Sequence, residues 1–251
     1  MSRFDLSGRT VLVAGASSGI GAGFARKLGA AGARVVLGAR RLDRVEALAA
    51  GLPKALGVQL DITDETSVIA AYDAAEARFG TVHGILANAG VGIGGRSTDT
   101  TVEGLNTVLD TNLLGSYLVC REGARRLIAS GSREREDGRI VLIGSITAVQ
   151  NGMGDAMYAA TKAGLEHLGR QLAREWVRQG INVNTVHPGW IATDINTEWT
   201  SSERGRAEIQ ALHRRRLQET DALDDMVLYL LSDGARQITG SSIVIDDGQS
   251  L

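Results

Sequence analysis

A tyrosine and a lysine stand four residues apart in the pentapeptide YAATK, from Tyr158 to Lys162. A phenol is a poor proton donor at neutral pH, with a reference pKa of about 10, but residues four apart share one face of a helix. An ammonium group on that face stabilises the phenolate and turns the tyrosine into a usable acid. The chain has only three lysines, Lys27, Lys54 and Lys162, so arginine carries nearly all of its positive charge. A compact charge with a movable pKa suits the pairing better than the planar fork of arginine, although a lysine surviving by chance would satisfy the count equally.

Ser145 closes the apolar run RIVLIGS just ahead of this pair. For the three to meet, a strand must end where a helix begins, and the sequence repeats that arrangement. TVLVAG is a short apolar strand, followed by the helical spacing of IGAGFARKLGAAG and a second strand, RVVLGAR. The alternation continues with a helix near 42–50, a strand near 55–60, a helix over 64–79 and the strand HGILAN. A helix over 101–130, RIVLIGS, a helix over 154–179, INVNTVHPG, a helix over 221–232 and SSIVID complete it. Strands that are apolar throughout and alternate with long helices predict an α/β fold, a doubly wound parallel sheet in one domain over 1–251. Side chains at the ends of such strands open onto a ligand crevice. Two stretches break the rhythm. SGSREREDG, at 130–138, is expected to be a solvated loop without function. The excursion over 190–216 is expected to form a helical lid on the ligand site.

Composition narrows the function. Thirty-two glycines against two prolines suit tight strand-to-helix turns. A net charge of -2, from 27 basic and 29 acidic residues, argues against a nucleic-acid or membrane surface. The first ten residues lack an apolar leader core, and no run stays apolar for the roughly 18 residues that span a bilayer, so a cytoplasmic protein is expected. Cys120, the one cysteine, sits in an apolar helical pattern and is expected to be a buried thiol. His83, His167, His187 and His213 show no ligand spacing, and no metal site is expected.

Between the first strand and the first helix lies AGASSGIG, Ala14 to Gly21, where glycines let backbone amides approach a pyrophosphate. With NAG at 88–90, Ser145 and YAATK, and HPG at 187–189, all in order, the chain resembles the short-chain dehydrogenase/reductase family over nearly its full length. The family has threonine where Ala14 stands. The resemblance implies a Rossmann fold and an NAD(P)-dependent oxidoreductase. It implies that Tyr158 donates a proton to a carbonyl oxygen which Ser145 also hydrogen-bonds. Lys162 then lowers the tyrosine pKa and binds the nicotinamide ribose, and Asn112 kinks a helix and holds a water that links Lys162 to solvent. The implied cofactor contacts are Gly15, Ser17, Ser18, Gly19, Ile20 and Gly21 in the turn, Asp61 at the adenine amine with Ile62 following it, and Asn88, Ala89 and Gly90 beyond the fourth strand. Tyr158, Lys162, Pro188, Gly189, Ile191 and Thr193 would complete the set. Taken singly, each residue also has an ordinary explanation: serines end strands, tyrosines fill cores, and Pro-Gly marks turns.

At the end of the second strand, Ala39 occupies the position where NAD-preferring members carry an acid, and Arg40 and Arg41 follow. A guanidinium pairs with a 2′-phosphate, so NADP(H) is the expected cofactor, while a solvated helix start would explain the same arginines. The expected reaction is reduction of a ketone to a secondary alcohol, on a small-molecule substrate of aryl or medium-chain type. Val91 to Gly95, Ile146, Val149, Met153, Trp190 and Trp199 offer an apolar wall for it. Arg204 and Arg206 point to an alternative, the reduction of a 3-oxoacyl thioester, or merely to a solvated helix face. A dinucleotide-binding sensor without chemistry would usually have lost Ser145, Tyr158 or Lys162. A homotetramer built through the helices at 101–130 and 154–179 and the last strand is implied by the resemblance alone.

Overall fold

The computed structural model describes residues 4–151, 156–192 and 200–251. In β1 (Thr10–Ala14) every residue is buried, because alternate side chains serve opposite faces of one sheet. Leu12 and Ala14 enter one apolar layer, and Val11 and Val13 enter the other. Strands β2 (Arg34–Ala39), β4 (Gly84–Ala87) and β5 (Gly138–Ile143) divide the same way. Val36, Ile85 and Ile140 join Leu12, whereas Val35, Leu86 and Val141 join Val11. Burial on both faces is why these strands read as unbroken apolar runs.

With β3 (Ala55–Gln59), β6 (Ile181–Pro188) and β7 (Ser242–Ile245), the strands form one parallel seven-stranded sheet in the order β3-β2-β1-β4-β5-β6-β7. The chain builds outward from β1 to β3, then returns to pair β4 with the other edge of β1. That reversal opens a crevice beyond the C-terminal ends of β1 and β4, and the register Ala14↔Ala87 sets the two following turns side by side.

One face of the sheet is covered by α3 (Glu65–Phe79), α5 (Ser116–Ala129) and α7 (Ala156–Trp176). The other carries α1 (Gly19–Ala30), α2 (Leu42–Ala50) and α9 (Asp224–Leu231). The stretch expected as one helix over 101–130 is divided: α4 (Val102–Leu109) passes through a wider π-helical turn, Asp110–Gly115, before α5 begins. The stretch 130–138 is not a solvated loop throughout. Ser132–Arg135 form a short helix, α6, and the Ser132 hydroxyl is buried and donates to the Gln179 carbonyl at 2.6 Å. Gly180 sits against the Ser132 carbonyl so closely that a β-carbon there would lie 2.0 Å from it, and Gly138 already belongs to β5. Charge content hid these packed positions.

Cys120 is buried in the first layer, and burial pushes its thiol up to about 12. Within the expected lid, α8 (Glu203–Ala211) is helical, capped by the Ser202 hydroxyl, which accepts from Gly205 N at 2.9 Å. Among the described residues no helix is long and apolar enough to cross a membrane.

Candidate active site

The crevice at the strand ends holds a cavity of about 1310 Å³. Its floor is the glycine turn. Gly15 adopts φ +84°, and a β-carbon there would lie 2.8 Å from Ala89 Cα, so the turns after β1 and β4 touch only because residue 15 has no side chain. At Gly21 a β-carbon would lie 2.1 Å from the Gly15 carbonyl, which packs the start of α1 against the turn. Gly19, at φ +55°, has open space where a side chain would project. Asn88 Nδ2 donates to the Gly15 carbonyl at 3.0 Å and ties the turn to the end of β4, at a place where Ala14 supplies no hydroxyl.

Arg41 rather than Arg40 is tied to this turn. Its Nη2 donates to Ser17 Oγ at 2.8 Å and to Ser18 Oγ at 3.2 Å, while Arg40 lines the cavity from an exposed position. Asp61 accepts from both the hydroxyl (2.7 Å) and the backbone nitrogen (3.0 Å) of Thr63, and these bonds hold its carboxyl below the ordinary value of 3.8.

Across the cavity, Ser145, Tyr158 and Lys162 line the same space. Lys162 is buried, and its Nζ donates to the Ile143 carbonyl at 2.8 Å and lies 5.5 Å from the centre of the Tyr158 ring. Burial pushes this lysine down to about 8. Ser145 Oγ accepts from Thr147 N at 3.2 Å and from Thr147 Oγ1 at 2.9 Å. With its lone pairs engaged from that side, the hydroxyl proton of Ser145 is left to donate elsewhere.

His187 packs behind Ser145, fully buried. Its Nδ1 lies 3.2 Å from Ser145 N and 3.0 Å from the Ser145 carbonyl. Burial holds the ring below its ordinary pKa and therefore neutral. Its Nε2 faces Glu166 Oε2 at 3.7 Å, too far for a hydrogen bond.

All but two of the expected site residues line the cavity. Asn112 lies behind the wall, where Oδ1 accepts from Val91 N at 2.8 Å and Nδ2 donates to the Val91 carbonyl at 2.9 Å and to Thr161 Oγ1 at 3.2 Å. Thr193 lies outside the described residues, as do Met153 and Trp199 of the expected apolar wall. Val91, Gly92, Gly94, Ile146 and Trp190 line the cavity, whereas Ile93 and Gly95 border a separate shallow groove. Val149 does not line it: it follows the short 3-10 turn Ile146–Ala148 and is 55% exposed. The wall is more polar than its sequence implied, with Thr147, Gln150, Asn151, Glu208 and Gln249 beside Arg204, while Arg206 points away to bond the Ser201 carbonyl. None of these polar positions carries a periodic or motif signal.

A family model described as Enoyl-(Acyl carrier protein) reductase matches residues 15–250. A solved short-chain type dehydrogenase/reductase from Mycobacterium marinum superposes with a TM-score of 0.91 at 30% identity, covering 98% of this chain and 97% of that one. The chain belongs to the short-chain dehydrogenase/reductase family. It is similar to D-threitol dehydrogenase of Mycolicibacterium smegmatis, 31% identical over 99% of this chain and 95% of that protein. It is also similar to the 3-oxoacyl acyl-carrier-protein reductase FabG of Escherichia coli, 32% identical over 97% and 98%. The protein is thus an oxidoreductase of this family.

Family membership brings a nicotinamide dinucleotide, and the cavity fits one. The glycine turn offers backbone at the N-terminus of α1, and Asn88 Oδ1 is a buried acceptor without a hydrogen-bond partner. Two similar structures differ in the form they hold. A 3-ketoacyl-(acyl-carrier-protein) reductase from Brucella melitensis is complexed with NADH (TM-score 0.90, 30% identity, 98% and 100% coverage). A short chain dehydrogenase from Burkholderia cenocepacia is in complex with NADP (TM-score 0.89, 30% identity, 98% and 99% coverage).

Proposed function

We propose that the protein is an NADP-dependent oxidoreductase that interconverts a ketone and a secondary alcohol. The observation that carries the chemistry is the buried Lys162 beneath the Tyr158 ring, beside Ser145 in the same cavity. When bound, the nicotinamide supplies or accepts a hydride. Tyr158 gives its phenolic proton to the carbonyl oxygen during reduction and takes one back from the hydroxyl during oxidation. The Ser145 hydroxyl, turned by its two bonds from Thr147, donates to the same oxygen. Lys162, held by the Ile143 carbonyl, offsets negative charge on the tyrosine oxygen. Asn112 serves by holding Val91, and with it the loop that leaves β4.

The preference for NADP rests on Ala39, Arg40 and Arg41. No carboxylate stands at the end of β2 to repel a 2′-phosphate, and Arg41 with the Ser17 and Ser18 hydroxyls forms a donor cluster suited to one. The contacts assigned to Gly15–Gly21, Asp61, Ile62, Asn88–Gly90, Pro188, Gly189, Ile191 and Thr193 belong to the same reading. So do a lid over 190–216, a cytoplasmic location and a tetramer.

Apolar residues and the polar group around Gln150 share the substrate side, which suits a ketone with an apolar body and further oxygen substituents. The thioester alternative draws support from the likeness to FabG and from Arg204 on the cavity wall, but Arg204 is already paired with Glu208 at 2.7 Å. The test is turnover of NADPH and NADH with aryl, alkyl and hydroxylated ketones set against acetoacetyl thioesters. Efficient turnover of thioesters alone would replace the ketone reading.

A further inference from the structure

Two glutamines from distant parts of the chain hold the backbone that leaves β6. Gln218 accepts from Gly189 N through Oε1 at 3.0 Å, and its own backbone bonds the Trp190 carbonyl (2.9 Å) and Ala192 N (3.2 Å). Gln249 lies beyond β7. Its Oε1 accepts from Trp190 N at 2.6 Å, and its Nε2 donates to the Trp190 carbonyl at 3.2 Å. Both side chains are buried, and Gln249 also lines the cavity. One amide thus closes on both polar groups of one backbone residue, as Asn112 does on Val91 across the cavity.

The segment carrying Gln249 is shaped to present it. Asp246 accepts from Gly248 N at 3.0 Å and from Ser250 N at 2.8 Å, which folds 246–250 into a tight turn. Asp247, in the left-handed region at φ 54°, pairs with Arg216 at 2.8 Å and Arg214 at 3.3 Å. Gly189 admits the turn: a β-carbon there would lie 2.5 Å from Gln249 Oε1 and 2.9 Å from Asp246 Cβ.

We propose that Gln249 is a positioning residue for the nicotinamide half of the cofactor. It fixes Trp190 beside Gly189, and so sets the wall that faces Ser145 and Tyr158, without touching the adenosine half. This rests on reading the cavity as a dinucleotide site.

Calorimetric titration of the purified full chain with NADPH and with adenosine 2′,5′-bisphosphate, which lacks the nicotinamide, tests it. Gln249→Ala removes both bonds, so NADPH should bind about tenfold more weakly while the bisphosphate is held within about twofold of wild type. Gln249→Met keeps the length of the side chain and loses both bonds to Trp190 without leaving a cavity or burying a charge, which provides a second variant if the alanine protein fails to fold. It should show a similar loss confined to NADPH. Unchanged NADPH affinity in both variants, or equal weakening of both ligands, would overturn the proposal. A wild type that binds neither ligand would overturn the dinucleotide reading itself, and this proposal with it.

Discussion

The His187 ring occupies the space that a side chain on residue 144 would need: a β-carbon on Gly144 would lie 2.4 Å from His187 Nδ1. Both are buried, Gly144 just after β5 and His187 near the end of β6, so the ring cannot swing into solvent. Gly144→Ala should therefore cost roughly 1–3 kcal/mol in denaturant unfolding and lower turnover by shifting Ser145. Gly144→Ala combined with His187→Ser should recover part of both. Simple additivity of the two changes would show that the contact does not couple them.

Tyr158→Phe should lower kcat by about 10² to 10⁴, the usual worth of a positioned acid, and leave the NADPH dissociation constant near wild type. Steady-state rates and calorimetry separate the two effects. Near-normal turnover would remove Tyr158 from the role of proton donor.

Lys162 should leave a mark on stability. Burial lowers it from 10.5 to about 8. Below that pH the lysine is protonated in both the folded and the unfolded chain, and the folded protein bears the full cost of the buried charge. Between pH 8 and 10.5 the folded state loses its proton first, so stability from this group rises with pH. Lys162→Met in the cofactor-free protein should compare most favourably with wild type at pH 7, by on the order of 3 kcal/mol at most, and lose that advantage toward pH 10.5. Thermal denaturation at the two ends of the window checks this; a difference that does not vary with pH contradicts it.

Cofactor choice should follow the end of β2. Arg41→Ala should weaken NADPH binding about tenfold and NADH binding far less, because a charge-assisted bond to phosphate is lost in only one of them. Ala39→Asp with Arg40→Leu should reverse the preference in kcat/KM. A wild type that prefers NADH would refute the NADP reading.

Assembly is expected to bring four chains together. Val102, Leu109, Leu114 and Ile128 are exposed along α4, the π-helical turn and α5, and Val244 is exposed on β7. Light scattering on the eluted protein should give the mass of four chains, and a monomer at micromolar concentration would contradict it.

The fold was legible because local signals agreed with the global one. Seven apolar runs alternate with helices, and a parallel sheet buried on both faces demands that pattern. The residues Gly15, Ser145, Tyr158 and Lys162 were legible because motif order carries them. What could not be read depends on contacts between segments far apart in the chain. His187 shows no ligand spacing and looks like an ordinary structural histidine, yet it backs Ser145 across 42 residues. Gln249 meets Trp190 across 59. Val149 follows a short 3-10 turn that apolar character alone does not reveal, and that turn carries it away from the pocket. Arg40 and Arg41 are indistinguishable in sequence, and only the direction of the chain after β2 gives Arg41 the bonds to Ser17 and Ser18.

The clamp of Gln249 on Trp190 also makes one wall of the cavity depend on the far end of the chain. The glycine turn is tied by Asn88 just after β4, and Lys162 by the Ile143 carbonyl at the end of β5. The wall at Gly189 and Trp190 is instead held by the turn at 246–250, which reaches it only because β7 pairs with β6. Fraying of the last residues would therefore loosen that wall and leave the bonds of the glycine turn and of Lys162 in place.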